Sequence, residues 1–237
     1  MTDRSIPVDE SSPTIAGAKP ARKKGRRRPG RPCEDRDMRE AILDSAQIIF
    51  AENGFAGARL RDIAALGDVN QALINYYFQS KQQLFDEVFR RHGFMITEQR
   101  EKLLDGLLAG GRQPTVGELV TAYLKPQWDM KYSGPGGAAF VKLQARLHAQ
   151  PEEQSIRLRR EVYDRSTKRY LKALCLALPH LTERTVSLRM AFMIGTYLFM
   201  LNDLGRIDDL SDNRVSEVGK AEMMDNLVLF LSAGLQA

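Results

Sequence analysis

Cysteine is scarce in this sequence, and its placement excludes two common ways of stabilising a small fold. Of 237 residues only two are cysteines, Cys33 and Cys175, and they lie too far apart to form a CxxC pair. Such a pair of isolated cysteines provides neither a disulfide framework nor zinc-ligand spacing, which is typical of proteins in a reducing cytosol. We therefore expect a cytoplasmic protein.

Long hydrophobic runs are also missing. The longest, residues 190–201, has only 12 residues and is interrupted by Gly195 and Thr196, whereas a membrane-spanning helix needs about 20. The first residues contain no apolar segment of the kind that secretory signals carry. We expect no membrane partner.

Catalytic signatures are absent from the sequence as well. The three histidines, His92, His148 and His180, are scattered without metal-ligand spacing, and there is no GxGxxG, Walker or HExxH motif. We therefore expect no enzyme, no metal and no cofactor. The alternative is an all-α enzyme with a basic tail, and selective DNA binding would exclude it.

Positive charge is concentrated near the N-terminus. Residues 19–32 carry eight Lys or Arg and no acid, so that removing them from the net charge of +5 leaves −3 for the rest. Residues 1–34 are polar and rich in Ser, Pro and Gly, which predicts a disordered basic arm. Within this arm the segment RPGRP, which contains Arg28 and Arg31, resembles the core of an AT-hook, a motif that binds in the DNA minor groove. Nonspecific attraction to phosphate and a nuclear localisation signal are the alternatives.

The stretch over residues 60–81, LRDIAALGDVNQALINYYFQSK, has the pattern of two short helices with a tight break. Ile63 and Ile74 give the helices apolar inner sides, and Gly67-Asp68 turns the chain between them. This pattern predicts a helix-turn-helix, whose second helix enters the DNA major groove. A pair of ordinary core helices is the alternative.

The flanking sequence predicts an all-α protein. An apolar stripe predicts a helix over residues 35–53 that Gly54 ends as a left-handed cap. A long helix follows Ser80 as its N-cap, and five more helices are expected over residues 115–237, the last two with Thr182 and Asp212 as N-caps and with a loop at residues 133–137. We expect about nine helices: a three-helix DNA-binding head, then a helical-bundle core for ligand binding and dimerisation.

The sequence contains GF-x4-LRDIA followed by VNQALINYYFQSK, with an amphipathic helix before this stretch and a long helix after it. Over about residues 36–90, this pattern resembles the DNA-binding domain of TetR-family repressors. The resemblance implies that Arg61 and Gln71 read bases and that Lys81 binds phosphate. Asn75 and Asp68 depart from the common pattern, and so does Arg59. The residues expected to contact DNA are Arg28, Arg31, Arg59, Arg61, Gln71, Ala72, Leu73, Asn75, Tyr76, Tyr77 and Lys81.

The C-terminal half is expected to carry two further surfaces. Residues 190–201 are apolar on all sides, which predicts an intersubunit four-helix bundle formed with the last helix; the alternative is that both helices are only core. The interface residues predicted are Met200, Met223, Met224, Leu227, Phe230 and Leu231. The ligand-binding residues predicted, which can equally be core residues without a cavity, are Tyr123, Trp128, Phe140, Gln144, Phe192, Met193, Thr196 and Tyr197.

The sequence thus predicts a basic arm (residues 1–34), a helix-turn-helix domain (35–81) and a ligand-binding and dimerisation domain (82–237). The resemblance implies a homodimeric repressor that binds a palindromic double-stranded DNA operator. Its effector is expected to be small and apolar, either lipid-like or aromatic. The alternative function is a constitutive architectural DNA-binding protein without an effector.

Overall fold

The computed structural model describes residues 32–149, 152–202, 206–215 and 218–237, and within these ranges it contains ten helices and no strand. The predicted contacts of Arg28 and Arg31 lie outside the described residues. The helices are α1 (Pro32–Gly57), α2 (Leu60–Leu66), α3 (Gln71–Tyr77), α4 (Lys81–Leu108), α5 (Val116–Lys131), α6 (Pro135–Ala149), α7 (Glu153–Ala177), α8 (Glu183–Leu201), α9 (Arg206–Leu210) and α10 (Lys220–Gln236).

Several helix boundaries confirm local sequence signals. The Ser80 hydroxyl accepts a hydrogen bond from the Gln83 backbone N–H, and that of Thr182 accepts one from Thr185, so both residues are N-caps. Gly54 interrupts α1 with φ 68°. Its ψ of 175° is extended rather than left-handed helical, and one further turn follows, so the predicted cap geometry is wrong in detail.

Two predicted boundaries, the start of the last helix and the extent of the loop at residues 133–137, differ from the structure. Asp212 does not cap the last helix: Asp212 and Asn213 both have positive φ and close the turn after α9, where the Asn213 N–H donates to the Asp208 carbonyl. The last helix begins only at Lys220. The loop expected at residues 133–137 is shorter, since α6 begins at Pro135, and proline suits the first turn of a helix.

The helices pack around two apolar clusters. The first joins α1–α4 to α6 and α7 and includes Phe50, Ile74, Phe89 and Leu143. The second joins α5, α7, α8 and α10 to the end of α4. Helix α4 contributes to both clusters, so it connects the N-terminal helices to the C-terminal bundle.

Within the described ranges, no helix has the length and apolar character required to cross a bilayer.

Candidate nucleic-acid interface and internal cavity

The turn between α2 and α3 has the geometry that the sequence predicts. Asp68 adopts φ 50°, the left-handed conformation that Asp tolerates better than most residues. A Cβ on Gly67 would lie 2.8 Å from Ser45 Oγ on α1, so glycine allows the end of α2 to approach α1 closely. The turn is therefore fixed both by its own backbone and by packing against α1.

Helix α3 buries one side and leaves the other open. Ile74 is fully buried in the first cluster, while the Asn70 side chain caps the helix by accepting from the Ala72 N–H at 2.8 Å. Tyr76 is 78% exposed. The exposed residues of the helix are Gln71, Ala72, Asn75 and Tyr76, all of them predicted DNA contacts.

Two predicted contacts on α3 lie on a different side of the helix. Leu73 and Tyr77 are partly buried and pack against the first cluster, because they are next to Ile74 on the inner side of α3. These contacts hold α3 on the head, and DNA contact by Leu73 and Tyr77 stays a prediction. At the start of α2, the N-cap residue Arg59 and the helical Arg61 are exposed, and Arg61 Nε lies 3.3 Å from Asp62 Oδ1.

Lys81 has protein partners that the sequence did not indicate. Its ammonium group donates to the carbonyls of Phe55 at 2.8 Å and Ala58 at 3.0 Å, and it lies 4.6 Å from the centre of the Phe55 ring. These carbonyls lie where the last turn of α1 ends. Lys81 therefore ties the start of α4 to the end of α1, and phosphate contact by this residue stays a prediction.

An exposed apolar surface runs along α8 and α10. Its members, which we call the α8–α10 face, are Leu188, Phe192, Phe199, Leu229 and Phe230.

Of the predicted interface residues, only Phe230 belongs to this face. Leu227 and Leu231 are buried in the second cluster, and Met200, Met223 and Met224 are partly buried against it. Residues 190–201 of α8 are apolar on all sides, so hydrophobicity alone does not distinguish the inner side from the outer one, and an interface role for these five residues stays a prediction.

A cavity of about 480 Å³ lies between α4, α5, α6, α7 and α8. Three predicted ligand residues line it: Tyr123, Gln144 and Tyr197. Its apolar wall comes from Ile156 and from α8, and its opening lies between α7 and α8, where Arg160 and Ala191 are exposed.

The other five predicted ligand residues do not line this cavity. Trp128 packs edge-on against Tyr132, and Phe140 is buried between Phe89 and His92 in the first cluster. Met193 is buried, whereas Phe192 is 67% exposed. The three from α8 (Phe192, Met193 and Thr196) border a smaller hollow next to α10.

The cavity contains a buried cation that the sequence analysis missed. Arg100 of α4 is only 3% exposed, and its Nε donates to the Tyr123 carbonyl at 2.8 Å. Its terminal nitrogen donates to Gln127 Oε1 at 3.1 Å. Arg100 occupies the position one turn after Ile96 on the apolar stripe of α4, and that interruption of the stripe is the signal that could have revealed it.

Burial also changes the titration of cavity residues. Burial, together with the charges of Arg159 and Arg100, lowers the pKa of His148 to about 4, so the imidazole is neutral at pH 7. Burial raises the pKa of the Tyr163 hydroxyl well above its usual range. The buried part of the cavity around Arg100 therefore combines permanent positive charge with neutral polar groups. No group of three or more potential metal ligands occurs among the described residues.

Two family models match the chain. The model "Bacterial regulatory proteins, tetR family" matches residues 42–88, which span α2, α3 and parts of α1 and α4. The model "Tetracyclin repressor-like, C-terminal domain" matches residues 121–234, which contain most of the cavity.

A curated relative is similar to a larger part of the chain than the first family model covers. An HTH-type transcriptional repressor of Mycobacterium tuberculosis is 31% identical over 131 residues, covering 42% of this chain and 69% of the relative. Two other relatives, from Bacillus subtilis and Pseudomonas putida, match over 50 residues only, which is 24% of the length of each.

Solved structures share the fold at low identity. A TetR-like transcriptional regulator from Rhodococcus sp. RHA1 has a TM-score of 0.62 at 17% identity, covering 84% of this chain and 95% of that one. AibR, solved in complex with isovaleryl coenzyme A and operator DNA, has a TM-score of 0.57 at 16% identity, covering 81% and 97%.

Proposed function

The chain belongs to the TetR family of bacterial transcriptional regulators, whose members are DNA-binding proteins and not enzymes. On that basis we propose that it is a homodimeric cytoplasmic repressor, which a small effector releases from its operator. The observation that carries this proposal is α3: it is capped and buried on its inner side, and it presents Gln71, Asn75 and Tyr76 to solvent. These side chains suit the major groove, where amides read base edges.

The α8–α10 face supports the homodimer. Phe192 and Phe230 are each 67% exposed and border the same hollow between α8 and α10, and exposed apolar surface of this kind is typical of an interface. A Cβ on Gly195 or Gly234 would meet nothing within 4 Å, so both positions leave room for the close approach of another helix. Two α8–α10 pairs related by a two-fold axis would make a four-helix bundle.

The position of the cavity supports control by an effector. Arg100 in the cavity and Lys81 at the head belong to the same helix, which rises about 28 Å between them at about 1.5 Å per residue. A ligand that shifts α4 would move the head. Release requires that the ligand bind the free conformation more tightly than the operator-bound one. AibR, which has the same fold, was solved with both a small molecule and operator DNA.

The alternative, a constitutive architectural DNA-binding protein, predicts the same α3 but no response to any small molecule. The cavity of about 480 Å³ favours the effector-controlled function, because its volume is in the range of small-molecule sites.

The test is fluorescence-anisotropy binding to the DNA immediately upstream of the coding region, with scrambled DNA as the comparison. We expect selective binding that Tyr76→Ala weakens by at least about 5-fold, since contacts of a recognition helix contribute about 1–3 kcal/mol each. Gln99→Ala, an exposed change on α4, is the control that keeps wild-type affinity. Equal affinity for scrambled DNA, or no effect of Tyr76→Ala, would contradict the proposal.

A further inference from the structure

We propose that the effector is an organic carboxylic acid, bound as its anion by Arg100 with its apolar part along α8. The inference rests on the proposed function, because it names the chemical class of the ligand for the same cavity.

The charge balance of the cavity is the first observation. Arg100 is 3% exposed, and among the residues that the structure describes it makes no ion pair with a carboxylate. A buried charge is costly unless it is paired. The positive charge of the guanidinium is partly compensated by the Tyr123 ring, whose centre is 3.8 Å away, and by two neutral oxygen acceptors. An anionic ligand would supply the missing negative charge.

The other polar groups lining the cavity add to this preference. Arg159 and Arg160 bring further positive charge towards the opening. Asp164 is the one acid among the lining residues described, and it already pairs with Lys168 at 3.2 Å. The lining is therefore positive overall.

Unsatisfied polar atoms lie close to Arg100 in the fold. His148 Nε2 and the Tyr163 hydroxyl are buried without a hydrogen-bond partner of normal geometry among the described residues, although the Gln144 side chain is near the hydroxyl. Both residues line the cavity. Buried polar groups are normally hydrogen-bonded, so such atoms indicate a partner that the folded chain does not itself provide. Carboxylate oxygens accept hydrogen bonds from arginine, tyrosine and imidazole N–H groups.

The apolar wall determines the other end of the ligand. Ile156 on α7 and Ala191, Ile194 and Leu198 on α8 line the cavity. A ligand with one carboxylate and an aliphatic or aryl body matches both halves of the lining, whereas a fully apolar molecule would leave the buried cation unpaired. The lipid-like class expected from the sequence thus becomes an amphipathic acid.

The acceptors of Arg100 connect this ligand to α4. Pro126 lies inside α5 and lacks the N–H that would continue the helical hydrogen bonds at that point. In that region the Tyr123 carbonyl accepts from Arg100 and the Leu124 carbonyl accepts from Tyr197 at 2.6 Å. A carboxylate would compete with Tyr123 and Gln127 for the guanidinium. It would therefore loosen the contact between α4 and α5.

The experiment compares acids with their neutral esters. Octanoate, decanoate and 4-phenylbutyrate, and the methyl ester of each, are titrated into the full chain while thermal unfolding is followed, and then into its complex with upstream DNA. We expect at least one acid to raise the melting temperature and to release DNA, with its ester at least about 10-fold weaker, since hydrogen bonds to charged groups are the stronger ones.

Variants locate the effect. Arg100→Met should abolish the response to the acid, whereas Arg169→Met, which removes an arginine paired with Asp105 on the same bundle, should keep it. If Arg100→Met fails to fold, Arg100→Lys and the comparison of acid with ester in the wild-type chain decide. Equal potency of acid and ester, no binding of any acid, or an unchanged response in Arg100→Met would overturn the proposal.

Failure of this inference is distinguishable from failure of the proposed function. Acid-dependent stabilisation without DNA release would support the ligand class and contradict effector-controlled repression. DNA release by the neutral esters alone would support the repressor and overturn the ligand class.

Discussion

The Arg100 guanidinium lies 3.8 Å from the centre of the Tyr123 ring and donates from Nε to the carbonyl of the same residue. One tyrosine of α5 thus holds the buried arginine of α4 through both its ring and its backbone. Because α4 also carries Lys81 at the head, the packing of this helix determines how a change in the cavity reaches the DNA-binding surface.

Packing of α4 against α7 predicts opposite effects for two glycine substitutions on one helix. A Cβ on Gly93 would lie 2.4 Å from Val162 Cγ1, whereas a Cβ on Gly106 would meet nothing within 4 Å. We expect Gly93→Ala to lower the free energy of unfolding by about 1–3 kcal/mol through overpacking. Gly106→Ala should raise it by about 0.5–1 kcal/mol through helix propensity. Urea unfolding measures both, and a stabilised Gly93→Ala would mean that the two helices are farther apart.

The contacts of Lys81 predict a stability role for this residue. Lys81→Met removes the hydrogen bonds to the Phe55 and Ala58 carbonyls. We expect the free energy of unfolding to fall by about 1.5–3 kcal/mol, the usual range for hydrogen bonds to charged groups. Lys102→Met, which removes only an exposed pair with Glu98, should leave it nearly unchanged, because exposed ion pairs contribute little to stability. Unchanged stability with weakened DNA binding would instead make Lys81 a phosphate contact only.

The α8–α10 face predicts that a single charge abolishes the dimer. Phe230→Asp should yield a monomer in size-exclusion chromatography with light scattering, because the carboxylate would be buried at a symmetric interface twice. Phe94→Asp places the same charge on an exposed aromatic of α4 and should leave the dimer intact. A Phe230→Asp dimer as stable as the wild type would place the interface elsewhere.

The histidines predict a loss of stability in mild acid. Burial, with the Arg91 charge, lowers the pKa of His92 to about 4, and burial with Arg159 and Arg100 does the same for His148. Between about pH 6.5 and pH 4 the unfolded chain binds more protons than the folded one, so the free energy of unfolding decreases as the pH falls through this window.

The measurement is the urea midpoint at pH 7.0, 6.0 and 5.0. His148→Gln should flatten the decline, and His180→Gln, a change at an exposed residue after α7, should not. An identical decline in both variants would remove His148 from the explanation.

Local signals predicted much of the fold. Ser80, Thr182 and the Gly67-Asp68 turn are determined by residues within a few positions in the sequence, and the structure has them as expected. Asp212 carries the same type of cap signal but closes a turn instead, because its positive φ and the bond from Asn213 to Asp208 depend on α9, a short helix that no sequence pattern indicated.

The functional surfaces were predictable only where one side of a helix is polar. Helix α3 alternates buried Ile74 with exposed Asn75 and Tyr76, so its outer side follows from spacing. Residues 190–201 of α8 are apolar on all sides, and Phe192, expected in the cavity, is exposed. Arg100 was missed because a charged residue on a long helix is usually exposed to solvent. Its burial depends on the helices packed around α4, which the local sequence does not reveal.

Selection of binding sites from random double-stranded DNA tests the central claim most directly. If the protein is a dimeric helix-turn-helix repressor, the enriched sequence should be an inverted repeat with half-site centres about 34 Å apart, or a multiple of that. Gln71→Ala should relax the same base position in both half-sites while leaving the spacing unchanged. Recovery of no preferred sequence, or of a single unrepeated motif unaffected by Gln71→Ala, would contradict the account.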